Sequence, residues 1–420
     1  MHICIFEDTH VKNFYPLTYL RPVYDLHLGT RSLRERIEDA FPSKHILYHS
    51  RLCLAGHLRE SYGNRPVNDF PDEDTWFING RMLEVENIEG IVQGHDGKEQ
   101  VFLCGNSIAL AFIKRKHIGH LAQQLQTELF HRNLFDSLND VQVPCQLAEY
   151  PWEMMNRNAN EIEGDHHTVF KKRKRSQPTR LTYKGTHLLN RKQIIVGSET
   201  TIKPGAVLDA EHGPIILGEH VTIMPNSFIE GPTFIGNHTT IKAGAKIYHG
   251  TSIGDWCKIG GEVENSIVLS YSNKQHEGYL GHSYVGSWVN IGAGTNNSDL
   301  KNTYGPVKVI LGSRTIDTGL QFVGLTMGDH SKTGISMMFD TGTIVGMSCN
   351  LYGTGLPPKF IPSFSWGSTS SLSVFDLEKS VEIARRVMER RNVRMTEAYE
   401  ALLRHVFAQT EDERREAVVS

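Results

Sequence analysis

The sequence predicts a multi-domain chain with an N-terminal α/β domain, a β-solenoid and a short C-terminal helical tail. Two observations predict this order. A six-residue aliphatic repeat runs through the second half of the chain and is missing from residues 1 to about 165. In that first segment, short apolar runs alternate with helical stretches, as in α/β domains built on mostly parallel sheets. We therefore place the α/β domain at residues 1–165, a linker at 166–190, the solenoid at 191–365 and the tail at 366–420.

The aliphatic repeat has a strict period of six residues. Its eight consecutive members are Leu217, Ile223, Ile229, Ile235, Ile241, Ile247, Ile253 and Ile259. Each is followed four places later by a small or β-branched residue. An α-helix would need a period of 3.6 and a simple strand a period of two. A period of six fits a solenoid with three flat faces and one hexad for each face; the alternative is an ordinary β-sandwich with glycine-rich turns.

Glycines follow several members of the repeat, and the repeat is interrupted once. Glycine follows several aliphatic positions (Gly218, Gly236, Gly254 and Gly260), where permissive backbone angles suit a corner. Further hexads start at Val196, Ile202, Val285, Ile291, Met327, Thr333, Phe339 and Val345. The register breaks between Val263 and Tyr284, because Ile259 and Val285 lie 26 positions apart, which is not a multiple of six. We expect a loop to leave the solenoid there and to carry the functional residues.

The outer segments show the patterns of an α/β domain and of amphipathic helices. Strands are expected at Ile3–Phe6, Ile46–Tyr48, Trp76–Ile78, Val101–Leu103 and Ile108–Ile113, and helices around Ser32–Ala40 and His117–His131. Ligands of such a sheet bind at the carboxyl ends of its strands, here near Glu7–Arg21 and Asn79–Arg81. Beyond Trp366 we expect two helices that cap the solenoid, with one apolar stripe formed by Val374, Leu377, Val381, Ala384 and Val387.

Composition excludes several functional classes. The 44 basic and 47 acidic residues nearly balance, so charge gives no reason to expect nucleic acid or a membrane surface as the main partner. Six separated cysteines without a CxxC indicate neither a disulfide framework nor a zinc module. The basic run from Lys171 is a solvated linker or, alternatively, a nuclear-localisation or RNA-binding patch. With no spanning segment or signal peptide in the pattern, we expect a cytoplasmic protein.

The interruption of the repeat concentrates polar and titratable residues, and there the chain resembles a known family. His276 to Gly281 reads His-Glu-Gly-Tyr-Leu-Gly, and Val289 to Thr295 reads Val-Asn-Ile-Gly-Ala-Gly-Thr. Both elements resemble the acetyltransferase half of the bifunctional UDP-N-acetylglucosamine diphosphorylase / glucosamine-1-phosphate N-acetyltransferase family. The resemblance implies a left-handed parallel β-helix of hexapeptide repeats and the use of acetyl-CoA.

The resemblance also implies roles for individual residues. His276 would be the general base that takes a proton from a sugar amine as its nitrogen attacks acetyl-CoA, and a neutral imidazole suits that task. Tyr279, Asn290, Lys242, Glu262 and Lys274 would bind the acceptor. Lys242 stands where the family has an arginine that grips the sugar phosphate, and lysine can do so as a point charge. Residues near the CoA arm would be Ala293, Thr295, Asn297 and Lys301.

Two segments depart from the family pattern. Glu264 stands where the family has a lysine expected to contact the sugar phosphate. Asp299 and Leu300 replace the Asn-Tyr that the family places after Ala-Gly-Thr. Lys274, Asn297, Lys301 or Asn302 would have to compensate. These departures leave the acceptor sugar open, whereas the reaction type follows from the two shared elements.

Two other interpretations of His276 stay open. It could be a hydrogen-bonded surface histidine without a chemical role. It could also share a zinc ion with His249 and His282, since related solenoids hold zinc between subunits with three histidines. The usual spacing of zinc ligands is missing from the sequence.

The N-terminal segment resembles, more weakly, a divergent sugar nucleotidyltransferase domain with a Rossmann-like α/β fold. The residues that carry this are Phe6-Glu7-Asp8, Pro16 to Pro22, Ile78 to Arg81 and Tyr150-Pro151-Trp152. Arg21, Asn79 and Arg81 would contact the nucleotide, because an arginine can pair with phosphates. Asp8 and Asp165 would hold Mg²⁺ as hard oxygen ligands. The alternatives are structural: Arg21 in a salt bridge and Asp8 capping a turn.

Together these features predict a bifunctional sugar-1-phosphate enzyme. It would acetylate an amino-sugar phosphate with acetyl-CoA and couple the product to a nucleoside triphosphate such as UTP with Mg²⁺. The alternatives are a nucleotidyltransferase whose solenoid serves oligomerisation or regulation, and a non-catalytic binding scaffold. Since related solenoids place the acyl-CoA site between neighbouring prisms, a homotrimer is expected, with no nucleic acid or membrane partner.

Overall fold

The computed structural model describes residues 2–42, 44–126, 128–136, 138–167 and 183–419. An α/β domain comes first, a three-sided parallel β-solenoid follows, and three helices end the chain. This is the predicted order. The basic run from Lys171 lies outside the described residues.

A mixed six-stranded sheet forms the centre of the N-terminal domain, in the order β4-β1-β5-β7-β6-β8. Its strands are β1 (His2–Phe6), β4 (His45–His49), β5 (Thr75–Asn79), β6 (Gln100–Cys104), β7 (Ser107–Ile113) and β8 (Asp140–Gln142), and β2 (His27–Leu28) pairs with β3 (Arg31–Ser32). Strand β1 is parallel to both of its neighbours, whereas β7 is antiparallel to β5 and β6. The sheet is therefore less uniformly parallel than predicted.

Helices cover both sides of this sheet. They are α1 (Leu33–Ala40), α2 (Leu52–Ser61), α3 (Val85–Gly94), α4 (Arg115–Gln124) and α5 (Pro151–Asp165). Helix α1 begins with a capping box, in which the Ser32 side chain accepts from the backbone N–H of Glu35 and the Glu35 carboxylate accepts from the backbone of Ser32. Helix α4 ends at Gln124, earlier than the predicted helix around His117–His131.

The solenoid winds through three parallel faces. Face 1 contains β10 (Ile194–Val196), β13 (Ile215–Leu217), β16 (Thr233–Ile235), β19 (Thr251–Ile253), β22 (Ile267–Val268), β25 (Tyr284–Val285), β29 (Thr326–Met327), β32 (Ile344–Val345) and β34 (Phe360–Ile361). Face 2 contains β11 (Thr201–Ile202), β14 (Thr222–Ile223), β17 (Thr240–Ile241), β20 (Lys258–Ile259), β23 (Asn273–Lys274), β30 (Lys332–Thr333), β33 (Asn350–Tyr352) and β35 (Ser365–Ser368), which pairs with β36 (Ser371–Val374). Face 3 contains β9 (His187–Leu189), β12 (Val207–Asp209), β15 (Phe228–Glu230), β18 (Lys246–Ile247), β21 (Glu262–Glu264), β24 (Tyr279–Gly281), β26 (Asn296–Asn297) and β31 (Met338–Phe339).

The predicted hexads fill the prism. All eight aliphatic positions from Leu217 to Ile259 are buried in one hydrophobic core. The small residues four places later are buried as well, and the hydroxyls of Ser227, Thr233 and Thr239 bond to the backbone. The Thr239 hydroxyl donates to the carbonyl of Gly254 (2.8 Å) and accepts from the N–H of Cys257 (3.0 Å). Polar corner residues thus satisfy backbone groups of the next coil, which is why Ser and Thr are tolerated inside the prism.

Left-handed backbone at the corner between faces 1 and 2 is carried by aromatic residues and not by the predicted glycines. His220, His238, Trp256, Tyr271, Trp288 and His330 have φ values between 55° and 68°. Their rings stack on each other, as His238 does on Trp256 at 4.1 Å. The four predicted corner glycines have no positive φ. Gly236 is required because a Cβ there would come within 2.7 Å of the backbone of the next coil.

The expected loop between Val263 and Tyr284 does not exist. That segment stays in the solenoid as β22, β23 and β24, which pair with the coils on both sides. Two coils here are shorter than three hexads. Ile253 pairs with Val268, 15 positions later, and Val268 pairs with Val285, 17 positions later.

The segment that does leave the solenoid lies between β26 and β29. It contains the hairpin of β27 (Lys308–Leu311) and β28 (Arg314–Asp317), which packs on Trp152 and Met155 of α5. Val285 pairs with Met327, 42 positions later, and this multiple of six concealed the insertion from the repeat pattern.

The C-terminal helices begin later than predicted. They are α6 (Leu377–Glu389), α7 (Glu397–Gln409) and α8 (Glu411–Val419). Val374 belongs to β36 and is 49% exposed, so it is no part of the expected stripe, whereas Val381 and Ala384 are buried. Helices α6 and α7 join a core that also contains residues of the N-terminal domain and of the solenoid. Among the described residues, no helix is long and apolar enough to cross a bilayer.

Face 1 carries the N-terminal domain. Ile267, Leu269 and Tyr284 share a core with residues around Leu17, and the Tyr284 hydroxyl donates to the carbonyl of His27 (2.8 Å). The polar centre of this contact is the Arg21 guanidinium. It forms two hydrogen bonds to the Asp329 carboxylate (2.7 and 3.0 Å), and Asp329 is buried to 1% exposure.

We expect Arg21→Met to lower the free energy of unfolding by about 3 to 5 kcal/mol, because it leaves the Asp329 carboxylate buried and unpaired. Urea titration followed by intrinsic fluorescence measures this. Arg314→Met is the matched control, since Arg314 also bonds across the contact, to Asn13, but in an exposed position; it should cost less than about 1 kcal/mol. Equal effects of the two variants would contradict a central role for the ion pair.

Candidate active site

His276 lies at the corner between faces 2 and 3. Strand β23 ends at Lys274 and β24 begins at Tyr279, so residues 275–278 form the turn between them. The His276 side chain is exposed. In the described part of the chain it has no hydrogen bond or ion pair, so its ring nitrogens are open to a ligand.

Lys274 fixes this turn from the inside. Its position corresponds to that of Ile259 in the coil before, and its ammonium donates to the carbonyls of Gly260 (2.9 Å), His276 (3.2 Å) and Gly278 (2.5 Å). Burial lowers the pKa of Lys274 to about 8. The prediction that Lys274 binds the acceptor is therefore wrong, because its side chain is buried and used by three backbone oxygens. It holds the backbone of the turn that presents His276.

An acidic cluster lies on face 3 beside this corner, and Tyr279 is its centre. The Tyr279 hydroxyl bonds to the carboxylates of Asp299 (2.8 Å) and Glu264 (3.1 Å). Burial and the nearby Asp299 charge raise the pKa of Tyr279, so the phenol keeps its hydrogen. A phenol has one hydrogen for two carboxylates, and acceptor capacity is therefore left for a donor from a ligand.

His282 completes the acidic cluster. Its Nδ1 lies 2.8 Å from the Asp299 carboxylate, and its ring stacks on Phe322 at 4.9 Å. Burial disfavours the charge on Asp299, but the hydrogen bonds from His282 and Tyr279 outweigh it and hold the pKa of that carboxyl below its usual range. Glu264 and Asp299, two of the three residues that depart from the family pattern, thus meet in one cluster with Tyr279.

The residues predicted near CoA divide into two groups. Ala293 lies on the His276 corner in the next coil, where the N–H of Gly294 donates to the carbonyl of Glu277 (2.8 Å). Lys301 is half-buried and donates to the carbonyl of Pro306 (2.5 Å), within the segment that leaves the solenoid.

Thr295 and Asn297 point into the prism instead. The Asn297 amide accepts from the N–H of Gly281 (2.9 Å) and donates to its carbonyl (3.0 Å), and Thr295 is 4% exposed. The polar atoms of these two side chains replace backbone pairing inside the solenoid, and the contact of the two residues with the CoA arm stays a prediction.

The remaining predicted acceptor residues surround the corner. Glu262 pairs with Tyr279 in the strand register and forms an ion pair with Lys246 (3.6 Å). Asn290 is exposed on face 2, next to Asn273 in the neighbouring coil. Lys242 precedes them on the same corner as His276, with its Cβ beside Gly260.

In the N-terminal domain, the carboxyl ends of β1 and β5 meet in a buried ion pair. The Arg81 guanidinium bonds to the Asp8 carboxylate (2.6 Å), and the Asn79 amide donates to the same carboxylate (2.8 Å). Despite burial, hydrogen bonds from His10 and Arg81 hold the pKa of Asp8 well below its usual range. Asp8 also caps a 3₁₀ turn by accepting from the N–H of His10, which confirms the structural alternative for this residue.

Arg21 and Asp165 also have structural partners. Arg21 binds Asp329, so the structural alternative holds for it too, and a nucleotide would have to displace that pair. Asp165 binds Arg31 (2.5 Å) and Arg36 (2.9 Å) and has no partner in common with Asp8. The oxygens of Asp8 and Asp165 are thus occupied by cations of the chain, and the two do not fit the predicted Mg²⁺ site. Within the described ranges of one chain, no group of three His, Cys, Asp or Glu side chains could hold a metal ion. A zinc ion shared between subunits by His249, His276 and His282 stays a prediction, because it needs a second copy of the chain.

The sequence interpretation missed the role of His282 with Asp299, which no local motif marks. It also missed three cations that accompany Lys242 near the corner, Lys258, Arg390 and Arg391, two of which come from the far end of the chain. One cleft of about 670 Å³ opens elsewhere, at the amino ends of β1 and β4, and none of the predicted site residues lines it.

The buried ammonium of Lys274, which holds the turn by three hydrogen bonds, predicts a pH dependence of stability. The pKa of Lys274 falls from 10.5 to about 8 on folding, so the unfolded chain binds more protons between these values and stability rises with pH there. Relative to Lys274→Met, the wild type should gain about 1 to 2 kcal/mol between pH 7.5 and 9.5, measured by urea titration at each pH. Comparison with the variant cancels other titrating groups, such as Lys332, whose pKa burial also lowers to about 8. A difference that stays constant over this range would contradict a buried ammonium.

Two family models match the chain. One, described as sugar nucleotidyl transferase, matches residues 3–174, and the other, described as bacterial transferase hexapeptide (six repeats), matches residues 232–264. The first covers the N-terminal domain and the second covers coils directly before the His276 turn.

Relatives in other organisms are named as bifunctional proteins. The bifunctional protein GlmU of Methanocaldococcus jannaschii is 35% identical over 88 residues, which are 21% of this chain and 21% of the relative. The bifunctional sugar-1-phosphate nucleotidylyltransferase/acetyltransferase of Sulfurisphaera tokodaii is 34% identical over 142 residues, 33% of this chain and 35% of the relative. The chain thus spans about a fifth to a third of the length of these relatives.

Among solved structures, the UDP-N-acetylglucosamine acyltransferase of Campylobacter jejuni aligns at 12% identity and a TM-score of 0.21, over 54% of this chain and 94% of that one. Residues 3–174 match the sugar nucleotidyl transferase model and residues 232–264 match the bacterial transferase hexapeptide model, so two segments of the chain are each similar to a family of transferases.

Proposed function

We propose that the chain is a bifunctional sugar-1-phosphate enzyme. Its solenoid transfers the acetyl group of acetyl-CoA to the amine of an amino-sugar phosphate such as glucosamine 1-phosphate. Its N-terminal domain couples a sugar 1-phosphate to a nucleoside triphosphate such as UTP and releases pyrophosphate. Support comes from the two transferase modules and from the His276 turn. The single observation that carries the acetyl transfer is an exposed histidine on a turn whose backbone Lys274 holds by three hydrogen bonds.

The acetyl-transfer step needs a proton acceptor, and His276 supplies it. The acceptor amine attacks the thioester carbonyl, its N–H proton passes to the imidazole, the carbon–sulfur bond breaks and the thiolate of CoA takes a proton. A neutral imidazole suits this role because its ordinary pKa lies near neutral pH. The turn holds the imidazole in one place, and such positioning of the base against the acceptor lowers the barrier to the reaction.

The acidic cluster supplies the other contacts of the acceptor. Glu264 shares the single Tyr279 hydrogen with Asp299, so a sugar hydroxyl or the ammonium form of the acceptor can donate to it. Glu262 and Asn290 flank the same corner. We propose that these groups orient the sugar ring, whereas its phosphate lies away from the carboxylates, because like charges repel.

The N-terminal activity rests on the family match of residues 3–174. A divalent cation that accompanies the nucleoside triphosphate belongs to this proposal, but Asp8 and Asp165 do not hold it. Asn79 and Arg81 lie at the carboxyl ends of the central strands, where ligands of such sheets bind. Both side chains donate hydrogen bonds to the Asp8 carboxylate, and these bonds hold the residues at that edge of the sheet in place.

A homotrimer is part of the proposal. Apolar side chains are exposed around the His276 corner, with Ile335 at 73% and Met338 at 45%, and Tyr352 lies one coil further. A neighbouring prism that covers this corner would bury them and exclude water from the reaction.

Multi-angle light scattering of the full chain should give three times the mass of 47.3 kDa. Ile335→Asp would place a charge in the covered corner and should shift the protein toward the monomer. Val374→Asp is the control, since Val374 is exposed at the end of the solenoid. A monomeric wild type would contradict the trimer.

His276→Ala should lower kcat for acetyl transfer by about 10² to 10⁴, because it removes the proton acceptor and leaves the turn held by Lys274. Thiol release from acetyl-CoA with glucosamine 1-phosphate measures the loss. His249→Ala is the matched control, an exposed solenoid histidine at another corner.

The same His276→Ala protein should still release pyrophosphate from UTP and a sugar 1-phosphate, because that reaction belongs to the N-terminal domain. Full acetyl transfer in His276→Ala would contradict the assigned base. Turnover in neither assay by the wild type, with specific capture of a partner, would favour a binding scaffold.

A further inference from the structure

Four cations come together beside the His276 corner, on face 2. They are Lys242 and Lys258 of the solenoid and Arg390 and Arg391 at the end of α6. Partial burial and then the positive charges of Arg391, Lys242 and Arg390 lower the pKa of Lys258. Over the described ranges, none of the four has a carboxylate partner in an ion pair.

The strand register fixes the place of this cluster. Lys258 pairs with Asn273 in the next coil, and Asn273 with Asn290 in the coil after that. Neighbouring strands lie about 4.8 Å apart, so Lys258 is about 10 Å from Asn290 along the face. Lys242 and Gln275 lie on opposite sides of Gly260 at the corner, and His276 follows Gln275 directly.

The arginines reach the solenoid because α6 is held there. Val381, Ala384 and Met388 bury one side of the helix in the common core. The Arg391 guanidinium then donates to the Asn273 side chain (2.9 Å), which orients it along face 2. Arg390 and Arg391 follow the last residue of α6, where the helix dipole favours positive charge.

The charge on the two sides of the His276 corner is opposite. Face 3 carries the carboxylates of Glu264 and Asp299 beside the Glu262–Lys246 ion pair, whereas the four cations lie on face 2 and at its end of the corner. A substrate with both an amine and a phosphate would therefore bind in one orientation only, with its anion on face 2.

We propose that Lys242, Lys258, Arg390 and Arg391 form a phosphate-binding site for a substrate that reacts at His276. This inference rests on the proposed acetyl transfer and adds the C-terminal helix to its site. Guanidinium groups bind phosphate by paired hydrogen bonds and lysines bind it as point charges. The phosphate comes from one of two sources, the acceptor sugar phosphate or coenzyme A, which share this chemistry.

Arg391→Gln and Lys258→Gln in the full chain test the site. Each should raise KM for the phosphate-bearing substrate about ten-fold, since each removes a charge-assisted contact, with kcat within about two-fold of the wild type. Arg386→Gln is the matched control, because Arg386 is exposed on the same helix and pairs with Glu382. Circular dichroism should show the same melting temperature for all three variants.

Substrates without the phosphate identify its source. If the acceptor supplies it, the variants lose affinity for glucosamine 1-phosphate but match the wild type with glucosamine. If coenzyme A supplies it, they lose affinity for acetyl-CoA but match the wild type with 3′-dephospho-acetyl-CoA. Unchanged KM for all substrates, or equal losses with and without the phosphate, would overturn the site.

Calorimetric titration with coenzyme A and with glucosamine 1-phosphate separates this inference from the proposed function. Binding that the Arg391→Gln variant weakens, without acetyl transfer by the wild type, would support the site and overturn the reaction. Turnover by the wild type with unweakened binding in the variant would overturn the site and leave the reaction intact. A wild type that neither binds nor reacts would overturn both.

Discussion

The packing of side chains inside the prism is the constraint on which the rest of the solenoid depends. Each coil must place an apolar side chain above that of the coil before, and this stacking determines which side chains face inward. In the two shortened coils the inward position of face 2 falls on Lys274, whose charge is stabilised only because three carbonyls of the turn point at its ammonium. The same geometry turns His276 outward. A buried lysine and an exposed histidine are thus two consequences of one change in coil length.

The surface around His276 is divided by charge, and this division agrees with the departures from the family pattern. Glu264 and Asp299 replace residues that the family uses near the sugar, and both belong to the hydrogen-bonded cluster around Tyr279. A phosphate on that side would meet two carboxylates. The opposite side carries cations, of which Arg391 comes from a helix that no solenoid repeat predicts. The tail therefore contributes charge to the site as well as covering part of the solenoid.

Much of the fold could be predicted from the sequence because the prism repeats one packing rule. The eight hexads from Leu217 to Ile259 require the same environment eight times, and all are buried. Counting along the chain in steps of six gave wrong predictions where the length of a coil changed. The 26 positions between Ile259 and Val285 contain continuous coils, whereas the 42 positions between Val285 and Met327 conceal an insertion.

The site could be predicted only where a local motif marks it. His276 and Tyr279 stand in such a motif and lie near each other at one corner. The pairing of Arg21 with Asp329 joins residues 308 positions apart, and no sequence pattern relates them. For the same reason the Asp165 carboxylate was assigned to a metal, although arginines of the same domain occupy it. Long-range ion pairs depend on the assembled fold, so single-sequence reasoning cannot separate them from ligand sites.

A crystal structure of the full chain with coenzyme A and glucosamine 1-phosphate tests the central claim most directly. The claim predicts the thiol of CoA and the sugar amine at the corner between faces 2 and 3, with the amine within hydrogen-bonding distance of the His276 imidazole. It further predicts the sugar ring beside Glu264 and Tyr279. Ligands bound elsewhere, with the His276 corner covered by the chain or open to water, would contradict it.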